Sequence, residues 1–228
     1  MRVIAFIFEI LFELLLLLFY PLFGWVENFL PRRKESIDPH KPTIVLVERW
    51  FSTNPLHRRM VSYLEKKGFN VFLHNLPLQK GTFAQSAKEL REYIEKRQLT
   101  NITLVGISNG GITALLYLQN EDGWRHVRRF ISIATPFGGA PFAYFLSPFR
   151  SGRELFPGSM LATEIEGMSV QRKEDILSLR AEIDELVPSG SSSLPDGETI
   201  VVDVIGHNAL HLFSNKTYEQ IVAFAKNT

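Results

Sequence analysis

A serine flanked by glycines follows a short apolar segment near the middle of the chain. The residues are Gly106-Ile-Ser-Asn-Gly110, with Ser108 at the centre. The preceding residues, Ile102–Val105, are apolar or β-branched and predict a buried strand, whereas Ile112–Leu118 predicts an apolar helix. A sharp strand-to-helix turn exposes the hydroxyl of its serine, and flanking glycines leave room for the turn. The pattern therefore predicts that Ser108 is a nucleophile.

A serine hydroxyl needs an adjacent base, and the base needs a carboxylate that orients it. The candidate bases are the six histidines, His40, His57, His74, His126, His207 and His211. Of these, only His207 and His211 follow the last predicted strand. His207 comes directly after Gly206 at the strand end and is favoured, with His211 as the alternative. Their i, i+4 spacing alone does not predict a metal site, because no glutamate ligand or thiol lies nearby in sequence.

The orienting carboxylate is expected on a loop between the serine and the histidine. The segment after the predicted strand Ile176–Ala181 contains Glu182, Asp184 and Glu185. Asp184 is followed three and four residues later by Val-Pro, and this spacing favours it. Glu182 and Asp203 remain alternatives.

An alternation of strands and helices must position these residues. The predicted strands are Thr43–Val47, Asn70–Leu73, Ile102–Val105, Phe130–Ala134, Ile176–Ala181 and Thr199–Ile205. The predicted helices are Leu56–Lys67, Phe83–Gln98, Ile112–Leu118 and Thr217–Lys226. This order predicts an α/β fold over residues 43–228, with a mostly parallel sheet of about six strands and helices on both faces.

One stretch between Thr135 and Gln171 interrupts the alternation. Its many aromatic residues are mixed with proline and glycine, so we expect no single regular element there. We expect a cap-like insertion around residues 137–172, which either folds back on the core or lines an apolar acyl pocket. In the second interpretation, Phe137, Phe142 and Phe145 contact the substrate.

The amino-terminal segment, residues 1–30, is expected to form an apolar helix. Val3–Phe23 is apolar except for Glu9, Glu13 and Tyr20, and roughly 20 helical residues span a bilayer core. No A-x-A-like site follows, which disfavours a cleaved signal peptide. The two glutamates share one helix face and count against a simple span, so a helix in the membrane interface, or one docked on the domain, remains an alternative.

We therefore expect membrane attachment through this segment, followed by a linker over residues 31–42. Arg32, Arg33, Lys34 and Lys41 follow the segment, whereas only Arg2 and the amino terminus precede it. Because positive charge favours the cytoplasmic side, the catalytic domain is predicted to be cytoplasmic.

Length and composition exclude several classes of function. The 228 residues suit one α/β domain, and a net charge of +1 without a basic stripe gives no basis for nucleic-acid binding. The chain has no cysteine, which excludes a disulfide framework, a thiol nucleophile and a thiolate metal site. We expect no cofactor and no metal.

Four motifs in this order resemble the α/β-hydrolase superfamily, most closely its small lipase- and esterase-like members, over roughly residues 43–224. They are Gly106-x-Ser108-x-Gly110, Ala134-Thr-Pro-Phe-Gly-Gly139, Asp184-x-x-Val-Pro188 and Gly206-His-Asn-Ala-Leu210. The resemblance implies that Ser108 is the nucleophile, Asp184 the acid and His207 the base.

The loop after the first strand departs from this superfamily, in which that strand commonly ends in His-Gly. Here the matching residues are Glu48-Arg49, followed by Trp50. By position, the backbone N–H groups of Trp50 and Asn109 are the implied oxyanion donors. Arg49 lacks the conformational freedom of glycine, and Glu48 places a carboxylate near a developing negative charge.

The sequence thus predicts a membrane-associated serine hydrolase that cleaves a lipid or other acyl ester through an acyl-enzyme on Ser108. An acyltransferase or thioesterase on the same scaffold is one alternative. A membrane-tethered binding protein that has the fold without turnover is the other, and the Glu48-Arg49 replacement favours it.

Overall fold

The computed structural model describes residues 37–48, 56–75, 81–194 and 197–227, with positions 7, 8, 10–12, 15 and 19 near the amino terminus. The strands in this part of the chain are β1 (Thr43–Val47), β2 (Asn70–His74), β3 (Ile102–Ile107), β4 (Val127–Ile133), β5 (Ile176–Ile183) and β6 (Glu198–Ile205). The α-helices there are α1 (Arg58–Lys66), α2 (Phe83–Lys96), α3 (Asn109–Asn120), α4 (Arg150–Glu154), α5 (Met160–Glu166), α6 (His207–Leu212) and α7 (Asn215–Lys226).

The six strands form one parallel sheet in the order β2-β1-β3-β4-β5-β6. This confirms the predicted α/β fold with a mostly parallel sheet. Because parallel strands point the same way, the loops at their carboxyl ends meet at one edge of the sheet. The register places Val47 beside Gly106 and Ile183 beside Ile205, so the segments after β1, β3, β5 and β6 are neighbours.

Helices cover both faces of the sheet, as predicted. Ile44 and Leu46 of β1 point into an apolar cluster with residues of α1 and α7. Val45 and Val47 point the other way, into a cluster with residues of α2 and α3. Alternate residues of a strand face opposite sides, so a strand covered on both faces is apolar throughout.

The elements around the serine are longer than the sequence predicts. β3 continues to Ile107, and α3 begins at Asn109 instead of Ile112. The glycines at the second and third positions of α3 have low helix propensity, which is why the pattern favours a later start. β5 continues in the same way to Ile183, directly before Asp184.

The insertion around residues 137–172 contains a 3₁₀ turn, Pro141–Leu146, and the two short helices α4 and α5. Phe137, Leu155 and Ile165 are buried in the same cluster as α2 and α3. In contrast, Phe145 remains 78% exposed. Part of the insertion therefore folds back on the core, and part presents aromatic side chains to the surface.

Most of the predicted amino-terminal helix and linker lies outside the described residues. The described positions between 7 and 19 are helical, and the ring of Phe12 lies 5.6 Å from that of Phe213. Within the portion of the chain that is described, no helix has the length and apolar character needed to cross a bilayer. Membrane attachment stays a prediction.

Candidate active site

Ser108 lies between β3 and α3 in a conformation that L-residues rarely adopt. Its φ is 51° and its ψ is −128°, which stores local strain and is common at functional sites. A Cβ on Gly106 would overlap the backbone of Gly111, and one on Gly110 would overlap the carbonyl oxygen of Val47. Glycine is therefore required on both sides of the serine, as the motif predicts.

His207 lies within hydrogen-bond distance of both other predicted triad residues. Its Nε2 is 3.1 Å from Oγ of Ser108, and its Nδ1 is 2.9 Å from Oδ2 of Asp184. Asp184 directly follows β5, and His207 opens α6 directly after β6 and Gly206. The parallel pairing of β5 with β6 brings the two residues together at the sheet edge that holds Ser108.

The Asp184 carboxylate is held in place by the turn that follows it. Its Oδ1 accepts the backbone N–H groups of Leu186 and Val187 at 3.0 and 2.8 Å. Burial alone would raise the pKa of Asp184, but the charge and hydrogen bond of His207 and these two N–H groups hold the pKa below its usual value. Asp184 is therefore a carboxylate at neutral pH and favours a protonated Nδ1 on His207.

Glu185 holds the backbone of the same histidine. Its carboxylate accepts the N–H of His207, with distances of 3.1 and 3.3 Å to the two oxygens. Burial raises the pKa of Glu185, and the neighbouring charge of Asp184 raises it further. The sequence places Glu185 among the candidate acids, but its contact with the first N–H of α6 depends on the packing of β5 against β6.

The alternative triad candidates lie elsewhere. Asp203 is exposed and pairs with Lys216 at 2.8 Å, and Glu182 is exposed as well. His211 is fully buried, and its ring meets the ring of His207 edge-on with centroids 5.9 Å apart. The contact with Ser108 thus belongs to His207.

The predicted oxyanion and substrate residues do not share one setting. Asn109 is the first residue of α3 and is buried, at the helix end where backbone N–H groups lack intrahelical acceptors. Trp50 lies outside the described residues. Phe137 is buried in the core, whereas Phe142 and Phe145 face each other on the insertion with ring centroids 5.6 Å apart.

A buried carboxylate–imidazole pair lies beside this site and was not predicted. Nδ1 of His57 is 2.8 Å from Oε1 of Glu48, and neither side chain is exposed. The sequence signal was the acidic residue where a His-Gly pair is common, but the pairing with His57 is visible only in the folded chain. Neither here nor in the rest of the described ranges are three or more histidine, aspartate or glutamate side chains arranged to hold a metal ion.

The sequence profile of the lecithin:cholesterol acyltransferase family matches residues 75–227. A comparison with curated proteins finds no match. Among solved structures, the mature lipase BlEst2 of Bacillus licheniformis is 16% identical with a TM-score of 0.65, and the alignment covers 84% of this chain and 96% of that one.

The esterase EaEST of Exiguobacterium antarcticum is 17% identical with a TM-score of 0.64, over 82% of this chain and 92% of its own. A predicted CIB-like hydrolase of Thermoplasma acidophilum is 16% identical with a TM-score of 0.61, over 85% and 90%. These likenesses show that the fold is that of the α/β-hydrolases.

Proposed function

The chain belongs to the lecithin:cholesterol acyltransferase family, and on that premise we propose that it is a serine hydrolase of carboxylic esters, with a lipid or other acyl ester as substrate. The observation that carries the proposal is the run of contacts from Asp184 through His207 to Ser108, at 2.9 and 3.1 Å. The lipase and esterase names of the structural relatives agree with this reaction.

In the acylation step, Oγ of Ser108 attacks the ester carbonyl while Nε2 of His207 takes the hydroxyl proton. Asp184 stabilises the imidazolium that forms. The tetrahedral intermediate then collapses, the carbonyl–alkoxy bond breaks, and His207 gives its proton to the leaving alcohol. The oxyanion is stabilised by backbone N–H groups, for which Asn109 and Trp50 are the proposed donors.

In the deacylation step, water enters in place of the alcohol. His207 takes a proton from the water, the resulting hydroxide attacks the acyl-enzyme, and the Ser108–acyl bond breaks. The proton returns from His207 to Ser108. The products are a carboxylic acid and the free enzyme, so the cycle needs no cofactor.

A fluorophosphonate probe tests the nucleophile directly, because it reacts with activated serines. We expect the wild-type protein to be labelled on Ser108 and Ser108→Ala to remain unlabelled. The wild-type protein is also expected to hydrolyse a short p-nitrophenyl ester, and His207→Ala is expected to lose this activity. That result would exclude the non-catalytic alternative. Folded wild-type protein that resists the probe and hydrolyses no ester would refute the proposal.

Acyl transfer is the second candidate, because the name of the family includes an acyltransferase. It uses the same acyl-enzyme and differs only in the acceptor, which is an alcohol instead of water. Adding an alcohol during turnover separates the two reactions. An ester product whose yield rises with alcohol concentration would identify acyl transfer. Carboxylic acid as the sole product would identify hydrolysis.

We propose further that the substrate is met at a membrane. Residues 1–30 supply the apolar sequence, and exposed apolar side chains among them are available for contact with lipid, such as Phe8 at 74%. The positive charge after this segment supports a cytoplasmic catalytic domain.

A further inference from the structure

The Glu48–His57 pair is fully buried, and the reaction described above does not use it. Removing a carboxylate from water costs free energy unless a partner compensates, and His57 Nδ1 at 2.8 Å is that partner. Apolar residues of similar size commonly serve stability as well as a buried pair of polar side chains does. The pair is therefore better explained by a need to hold neighbouring groups in place, which apolar contacts would not meet.

The place of the two residues in the chain indicates what they position. Glu48 directly follows β1 and His57 directly precedes α1, so their contact joins the two ends of the segment between them. The carbonyl oxygens of Val47 and Glu48 pack against Gly110 so closely that a Cβ there would meet both. Holding Glu48 therefore holds the end of β1 against the turn that carries the nucleophile.

The same pair also reaches the proposed base. The rings of His57 and His211 stack with centroids 5.5 Å apart and planes inclined by 26°. His211 in turn meets His207 edge-on, with the centroids 5.9 Å apart and the planes at 83°. All three histidines are buried, so a continuous packed row leads from Glu48 to the ring that faces Ser108.

We propose that Glu48 and His57 are positioning residues for the reaction at Ser108, acting on the end of β1 directly and on His207 through His211. This inference rests on the proposed function. Oε1 of Glu48 lies 2.8 Å from Nδ1 of His57, so this side chain has an imidazole neighbour beside the turn of Ser108. Trp50, the proposed oxyanion donor, lies only two residues after Glu48.

The test uses four variants: Glu48→Leu, His57→Leu, the double leucine variant and Glu48→Gln. Each is compared with wild type by steady-state hydrolysis of a short soluble ester and by thermal unfolding. Each single leucine variant leaves one polar partner buried and is expected to unfold at a lower temperature. The double variant removes both polar groups and is expected to regain most of the wild-type unfolding temperature. The matched control is Asp203→Leu with Lys216→Leu, which replaces an exposed pair in the same way.

If the pair positions the reacting groups, the double variant keeps a kcat about 10- to 100-fold below wild type, with KM changed little. Glu48→Gln keeps a polar side chain of the same length beside His57 and is expected to keep more kcat than Glu48→Leu. A double variant with wild-type kcat would overturn the positioning role while leaving the proposed function intact. A wild-type protein without turnover or probe labelling would instead overturn the proposed function, and this inference with it.

Discussion

Asp184 uses both of its carboxylate oxygens, and each has a separate task. Oδ1 accepts the N–H groups of Leu186 and Val187, which fixes the carboxylate in a local turn. Oδ2 faces Nδ1 of His207 and favours the tautomer whose Nε2 accepts a proton from Ser108. In the proposed reaction, Asp184 would thus orient His207 and stabilise its charged form.

Replacing Asp184 with asparagine is expected to reduce kcat for a short ester by about 10³- to 10⁴-fold, because an amide favours the wrong tautomer of the histidine. Steady-state hydrolysis measures the effect, with circular dichroism as the check on folding. Asp203→Asn is the control, since it removes an exposed carboxylate that the sequence alone leaves open as the acid. A larger loss in Asp203→Asn than in Asp184→Asn would assign the roles the other way.

Glu185 predicts a pH dependence of stability. Its pKa is raised in the folded state, so the folded protein binds more protons than the unfolded chain between the two pKa values. Stability therefore falls as the pH rises from the unfolded pKa of glutamate through the raised one. Glu185→Gln keeps an acceptor for the His207 N–H and removes this dependence.

Urea unfolding at several pH values between about 4 and 7 measures this difference. The stability of Glu185→Gln relative to wild type is expected to increase as the pH rises through that window. Glu182→Gln, in the same segment but exposed, is the control for loss of a carboxylate. A constant difference between Glu185→Gln and wild type would contradict the prediction.

The three residues of the proposed triad have a signal in their local sequence. Ser108, Asp184 and His207 each follow a predicted strand, and parallel strands bring their carboxyl ends together. Glu48 also follows a predicted strand, but nothing in the sequence pairs it with His57, because their contact depends on the distance between the end of β1 and the start of α1 in the folded chain. A pattern of residue types does not encode that distance.

At the scale of elements, the carboxylate of Glu154 joins the insertion to helix α2. Oε2 of Glu154, at the end of α4, accepts the N–H of Phe83, the first residue of α2, at 2.9 Å. The side chains of Thr82 and Gln85 form a capping box at the same helix end. Glu154 thus satisfies a backbone donor that the capping box leaves over.

Glu154→Ala is expected to lower the free energy of unfolding by about 1 kcal/mol, because the hydrogen bond between the N–H of Phe83 and the carboxylate is lost. Urea unfolding measures the change. Glu164→Ala, from an exposed position on α5, is the matched control and is expected to change stability by less than about 0.5 kcal/mol. Equal effects of the two substitutions would show that the contact contributes nothing specific.

The short helices of the insertion could not be predicted from the sequence. Strands and helices with a clear period were found within a few residues, whereas the short helices α4 and α5 have no period long enough to detect. Their positions depend on long-range packing, such as Leu155 and Ile165 against the cluster of α2 and α3. The helix propensity of the individual residues contains little information about such long-range contacts.

At the scale of the whole molecule, exposed apolar side chains occur at the far end of the helix that begins with His207. Phe213 directly follows α6, which begins with His207, and the ring of Phe12 lies 5.6 Å from that of Phe213. Leu11 and Leu15 nearby are 53% and 51% exposed. Apolar side chains at i and i+4 share one helix face, so together they present a surface that suits lipid.

Leu11→Glu combined with Leu15→Glu is expected to reduce co-sedimentation of the full chain with phosphatidylcholine vesicles by tenfold or more, since each leucine that enters the lipid contributes about 1.5–3 kcal/mol. Hydrolysis of a short soluble ester is expected to stay within about twofold of wild type, whereas hydrolysis of an ester embedded in vesicles falls with binding. Ile37→Glu places the same charge at an apolar residue that is 62% exposed outside the segment, and is the control. Unchanged vesicle binding in the double variant would show that these leucines do not contact the membrane, and equal loss in Ile37→Glu would show that added charge alone is responsible.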